Sequence, residues 1–406
     1  MESKPESLHV PQANPVTTTA ALPREESETA ATPWSMLYQD LPGDWRLALG
    51  LVLALRVGLG LAGFVSVRLQ PVTIVGGDWL NLLIHSGRPW SDLLSIWQRW
   101  DALWYQQIAT HGYHAGDGTV AFQPLYPLLA RIVSLPLLGS IVLAELLVSS
   151  AAFFGAMWLL YHTALLDTDH STSRLTVLLT ALFPVGFFLL APYTESLYLL
   201  LTLAAFWFAR SGRPWLAGFA AMGAGLTRTF GGIFMVLPLA YEYLRRRDER
   251  KGAAGDSPPG GLLQSGFGLL ASTLPVVGLI ALALYQKGIV GEQRSPLALQ
   301  SYWGNRVVSP LHPVPDSVSH IVHTADMVEV LNLACLLSFA VLALLAVRYL
   351  PLTYALYALP YLALMFSRES LLSPLESVAR YMLVLFPCMI VLALGLARHP
   401  RLTTGW

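Results

Sequence analysis

Four stretches of this chain, 47–67, 141–162, 263–286 and 327–347, are apolar for the roughly 20 residues that a helix needs to cross a bilayer. Further apolar runs lie at 175–191, 196–209, 215–226, 230–243, 351–366 and 381–397. Inside hydrocarbon every backbone polar group needs a partner within the fold, and runs this continuous meet that need as helices. The chain is 54% hydrophobic and 12% charged, and a soluble domain carries about twice that charged share. The expected fold is therefore an all-α polytopic membrane protein of about 9–10 transmembrane or re-entrant helices. The runs 215–226 and 230–243 are too short for two ordinary spans and read as a re-entrant hairpin or two half-helices.

Charge sets the orientation. Arg210 and Arg213, the run "RRRDERK" at 245–251, Arg348, and Arg398 with Arg401 fall in connections on one side of successive runs. Short loops rich in Arg stay cytoplasmic, so both termini are expected inside a plasma-membrane, multi-pass protein. The segments 68–140, 192–195, 227–229, 287–326 and 367–380 then face outside. The stretch from 245 to 261 reads as a solvated cytoplasmic loop. Residues 1–45, rich in Ser, Thr, Pro, Glu and Ala, read as a disordered cytoplasmic tail ahead of a membrane domain over 46–399. A formal net charge of zero gives no reason to expect nucleic acid. Cys335 and Cys388 lie inside apolar runs and read as packing residues rather than a disulfide or metal pair.

The first outside loop, 68–140, holds the densest chemistry. In "RWDALWYQQIATHGYH" (99–114), together with the residues before it, Leu93, Ile96, Trp97, Trp100, Trp104 and Ile108 recur at helical spacing. The spacing predicts one amphipathic helix from Ser91–Asp92 to Gly112, lying at the membrane interface with Asp101 at the edge of its apolar stripe. Taken alone, Asp101 is also a plausible solvated helix charge, paired with Arg99 or another loop cation. Asp78 in "GGDWLN" is a lesser acidic candidate.

In "RWDALWYQQIATHGYH" and "AFQPLYPLLAR" (121–131) the chain resembles the phosphatidylinositol-glycan class V family, that is, the GPI mannosyltransferase 2 family and its bacterial relatives. "APYTESLYLLLTLAAF" (191–206), "WLAGFAAMGAGLTRTFGGIF" (215–234) and "SVARYMLVLFP" (377–387) resemble further family segments in the same order. The resemblance implies a GT-C glycosyltransferase whose site faces the extracytoplasmic side. It implies a polyprenyl-phosphate sugar donor, most often mannose, a glycan or glycolipid acceptor, and a catalytic Asp in the first loop, here Asp101. Gln123 stands where the family's Ala-Phe segment continues with Phe.

Sugar transfer from a lipid phosphate needs a base for the acceptor hydroxyl, donors for the departing phosphate, and a site that excludes water. Asp101 is the candidate base. Arg228 and Arg380 interrupt apolar sequence and are the candidate phosphate ligands, because the planar guanidinium binds two oxygens at once. The alternative for each is an intramembrane pair with Glu195 or Glu376. Gly231 and Gly232 are expected to let backbone approach a ligand beside Arg228. Tyr105, His111, Tyr113, Gln123 and Glu195 are expected to line the site, and Trp303 in "LQSYWGNR" to stack on a sugar. Arg56, in mid-span, is expected to pack against a polar neighbour. His111 and His114 lack a third ligand at suitable spacing, so neither a metal nor any other cofactor is expected. A lipid-linked-sugar flippase or a scaffold subunit of a glycosyltransferase complex are the alternative readings, and membrane lipid is a partner in each.

Overall fold

The structure is a computed structural model that describes residues 41–69, 91–254, 261–294, 298–299, 301 and 304–398. The tail up to residue 40, Asp78 and Trp303 lie outside the described residues. In chain order the helices are α1 (Leu41–Leu69), α2 (Ser91–Ser95), α3 (Asp101–His111), α4 (Leu125–Ser134), α5 (Ile141–Leu165) and α6 (His170–Ala181). They continue as α7 (Glu195–Arg210), α8 (Pro214–Gly225), α9 (Thr229–Ile233), α10 (Val236–Ala254), α11 (Gly261–Ser272) and α12 (Leu274–Tyr285). The last are α13 (Pro313–Thr324), α14 (Met327–Tyr349), α15 (Leu352–Phe366), α16 (Val378–Met382) and α17 (Phe386–Ala397). Strands β1 (Asn305–Val307) and β2 (Arg368–Ser370) form a small antiparallel pair. The protein is an all-α polytopic membrane protein.

Among the described residues, α1 from Trp45, α5 and α14 are each long and apolar enough to cross a membrane. The fourth firm run, 263–286, is broken rather than continuous: α11 and α12 meet at a bend of 43°. Pro275 at the start of α12 accounts for it, since proline has no N–H to offer the carbonyl of Ala271 one turn back. That part of the backbone meets α8 closely. A Cβ on Gly218 would lie 2.3 Å from the Ala271 oxygen, so only glycine allows the approach.

The run "RRRDERK" is helical, not a loop. It extends α10, where Arg245 pairs with Glu242 at 2.6 Å and Glu249 at 2.5 Å, and Arg246 with Glu242 at 3.1 Å. Ion pairs three and four residues apart stabilise a helix that composition alone reads as solvated loop.

The core joins α5, α7, α14, α15 and α17. At its centre Phe206, Tyr354, Tyr357 and Phe386 pack edge-on and stacked, with centroids between 5.2 and 6.0 Å apart. Polar groups gather at two ends of this core. At one, Arg210 and Tyr354 both reach Asp167 Oδ2, at 2.5 and 2.8 Å, while Thr353 donates to Glu242 at 3.1 Å. At the other, four segments assigned to one side by the Arg-rich loops come together. They bring Asp101, Glu195, Arg228 and Arg380 into a single cluster.

Candidate active site

The amphipathic helix expected over 91–111 is two helices with a break at 96–100. The break has a local cause. In an unbroken helix the Ser95 carbonyl would accept the Arg99 N–H. Here it accepts the Gln98 N–H at 3.1 Å and the Arg99 guanidinium at 2.9 Å, which closes α2 early. Trp100 then turns the chain with a positive φ of 46°, and Asp101 opens α3. The tryptophans consequently do not form one lipid-facing stripe. Trp97 lies over the Arg56 guanidinium at 4.7 Å, Trp104 stacks on Phe122 at 5.8 Å, and Trp100 is exposed. Arg56 also donates to Ser150 Oγ at 2.6 Å, the polar neighbour expected of it.

Asp101 is therefore the first residue of a helix, where the amide dipoles favour a carboxylate. Its Oδ2 accepts from Arg380 Nη1 at 2.7 Å, and its side chain is 28% exposed. Arg99, the nearest cation in sequence, faces backbone instead. Glu195, the first residue of α7, is fully buried. One of its oxygens, Oε1, takes the Arg228 Nη2 group and lies 3.0 Å from Arg380 Nε. Its Oε2 has no partner among the described residues. Arg228 Nε also donates to Thr194 Oγ1 at 3.2 Å. The pair with Glu195 and the ligand-facing role are thus not exclusive: both arginines are held by Glu195, and neither is confined to it.

The arginines surround one ring. Arg228 and Arg368 lie 5.0 Å from the Tyr381 centroid and Arg380 lies 5.1 Å from it. Burial alone would lower the Arg380 guanidinium; Asp101 and Glu195 more than offset this and keep it charged. Tyr193 lies 5.1 Å from Arg380 and donates to the Arg99 carbonyl at 3.2 Å, fixing the turn before Asp101. Three guanidinium groups face two carboxylates, a formal excess of one positive charge in a largely buried setting. Such a place favours an anion with oxygens to share.

Not every residue expected at the site joins it. Tyr105 does: it is buried beside Asp101 and Glu195, and burial followed by those two carboxylates pushes its phenol well up. His111 lies at the far end of α3, about 15 Å along at 1.5 Å per residue, exposed and bonded to Gln107. Tyr113 donates to the Phe122 carbonyl at 3.0 Å and meets Tyr285 edge-on at 6.4 Å, so it braces the loop rather than the cluster. Gln123 keeps a buried Oε1 without a partner among the described residues. Gly231 and Gly232 approach Tyr198 and Gly225, where added Cβ atoms would come within 2.2 Å, and so serve helix packing.

Tyr193, Thr194, Arg368 and Tyr381 are the residues that pattern reading missed. Three of them adjoin predicted residues in the quoted motifs, so the motifs carried the signal. Arg368 lay in a loop, and its place follows only from β1 pairing with β2, in which Arg306 stands opposite Glu369. That pairing also brings His312, Asp316 and Glu369 within 4.8 Å of one another. Arg306 already neutralises Glu369 at 3.0 Å.

Residues 83–241 match a family model described as Mannosyltransferase (PIG-V). The matched span contains Asp101, Glu195 and Arg228. No curated protein and no solved structure matches the chain.

Proposed function

We propose, from the match of residues 83–241 to the PIG-V mannosyltransferase family model, that the chain is a glycosyltransferase of that family that moves mannose from a polyprenyl-phosphate donor to an acceptor hydroxyl on the extracytoplasmic face. The observation that carries the reading is the shared hold of Arg228 and Arg380 on Glu195 beside Asp101. In this GT-C reading the donor phosphate takes the outer faces of Arg228 and Arg380. The acceptor oxygen attacks the anomeric carbon as the bond from that carbon to the phosphate oxygen breaks. Asp101 receives the hydroxyl proton, and polyprenyl phosphate leaves with the bonding electron pair. The partial positive charge on the sugar ring gains from the same carboxylate. Arg380 aligns Asp101 by holding Oδ2, which leaves Oδ1 to face the hydroxyl.

The test is transfer by the purified protein from a panel of radiolabelled polyprenyl-phosphate sugars to membrane glycolipid extracts. Transfer from the mannosyl donor, lost in Asp101→Asn, is expected. Binding of the donor with no transfer to any extract would favour a lipid-linked-sugar flippase and would sink the enzymatic reading.

A further inference from the structure

We propose that Glu145 is a positioning residue for Asp101, acting through a relay of two glutamine side chains; this deepens the reading above and rests on it. Glu145 lies in the first turns of α5, wholly buried, and no step of the transfer uses it. Its Oε2 accepts from Gln106 Nε2 at 2.9 Å. Gln106 Oε1 in turn accepts from Gln98 Nε2 at 2.9 Å. Gln98 and Gln106 lie three residues before and five residues after Asp101, the first within the break between α2 and α3 and the second in α3.

The bond between the glutamines therefore closes a loop of chain whose contents are the turn at Trp100 and the start of α3. That turn needs an external hold, because its φ of 46° is one that side-chain-bearing residues rarely adopt. Glu145 anchors the hold to a membrane-spanning helix. The direction of the relay is fixed: Gln98 donates, Gln106 accepts and donates, and the last member must accept. Either a carboxyl or an amide oxygen meets that need. Glu145 Oε1 has no partner among the described residues, so the acidic group serves through one oxygen only. An acidic residue inside a span is costly and calls for a role, and this arrangement supplies one.

The experiment uses the full chain in lipid nanodiscs and three variants: Glu145→Leu, Gln98→Leu and Glu145→Gln. Two readouts are taken. One is kcat and KM for polyprenyl-phosphate mannose. The other is amide hydrogen exchange over 99–104, which needs no turnover. Both leucine variants should exchange faster over 99–104 and lose about tenfold to a hundredfold in kcat, with donor KM within about threefold of wild type. Glu145→Gln keeps an acceptor oxygen and should restore both. If the leucine variants exchange as wild type does, the relay holds nothing and the proposal fails. If Glu145→Gln is as damaged as Glu145→Leu, the acid matters as an acid and the relay is refuted. Faster exchange with unchanged kcat would show that Asp101 needs no such positioning, which also overturns it. A wild type that transfers no sugar at all would overturn the function reading instead, and the exchange measurement would still decide the relay.

Discussion

Asp101 and Arg380 are 279 residues apart in the chain and 2.7 Å apart in the fold. The ion pair joins the start of α3 to α16, the short helix before the last one. Asp101→Asn keeps the shape of the side chain and one acceptor oxygen but cannot take a proton. General-base catalysis is worth about 10²–10⁴-fold, so kcat should fall by that order while donor binding survives. Turnover within a few-fold of wild type would move the base elsewhere.

Arg228→Lys and Arg380→Lys keep a charge and lose the planar fork. Each should raise the donor KM about tenfold or more, in proportion to a lost charge-assisted hydrogen bond. Isothermal binding of the polyprenyl-phosphate sugar checks this. Normal binding in both would remove the arginines from the phosphate site.

The orientation can be read at Ala115, which is exposed in the first loop. Cys335 and Cys388 are buried, so Ala115→Cys should be the site that an impermeant maleimide labels in intact cells. Labelling only after permeabilisation would invert the topology.

Gly231 packs against Tyr198, whose ring carbons would lie 2.4 Å from an added Cβ. Gly231→Ala should destabilise by about 1–3 kcal/mol through overpacking, seen as a lower Tm. An unchanged Tm would mean that Tyr198 moves aside freely.

Glu292 ties the first loop to the end of α12, accepting from the Arg294 guanidinium, the Arg294 N–H and the Gly116 N–H. The Arg294 side chain first, then these backbone donors, hold its carboxyl down at about 2. A depressed carboxylate contributes stability that is fully present above its unfolded value near 4.3 and is lost as pH falls through the folded one. The Tm advantage of wild type over Glu292→Gln should therefore be complete at pH 6 and shrink between about 4 and 2. A difference constant across that range would contradict the assignment.

The sequence made the long spans legible, because α1, α5 and α14 satisfy a length rule set by the bilayer. It also singled out Asp101, Glu195, Arg228 and Arg380, since ionisable residues beside apolar runs are rare enough to notice. What periodicity could not reveal was the break before Asp101. The six apolar positions from Leu93 to Ile108 fit one helix, and the competing Arg99-to-Ser95 bond is a side-chain event that no periodicity contains. Arg368 stayed hidden for a different reason: strand pairing between distant three-residue segments leaves almost no local trace. Glycine at 231 and 232 showed that close approach was needed, but not that the visitors were Tyr198 and Gly225.

Glu195 offers a single oxygen to two guanidinium groups and keeps the other unused. Glu195 thus holds the place between the two arginines. Arg228 and Arg380 are paired from within by Glu195 and Asp101, and Arg368 is the third guanidinium of the cluster. An incoming anion competes with Glu195 and Asp101 for Arg228 and Arg380, which a ligand contacting several groups at once does best. In the proposed reading, that competition favours a large substrate anchored at several points over small ions.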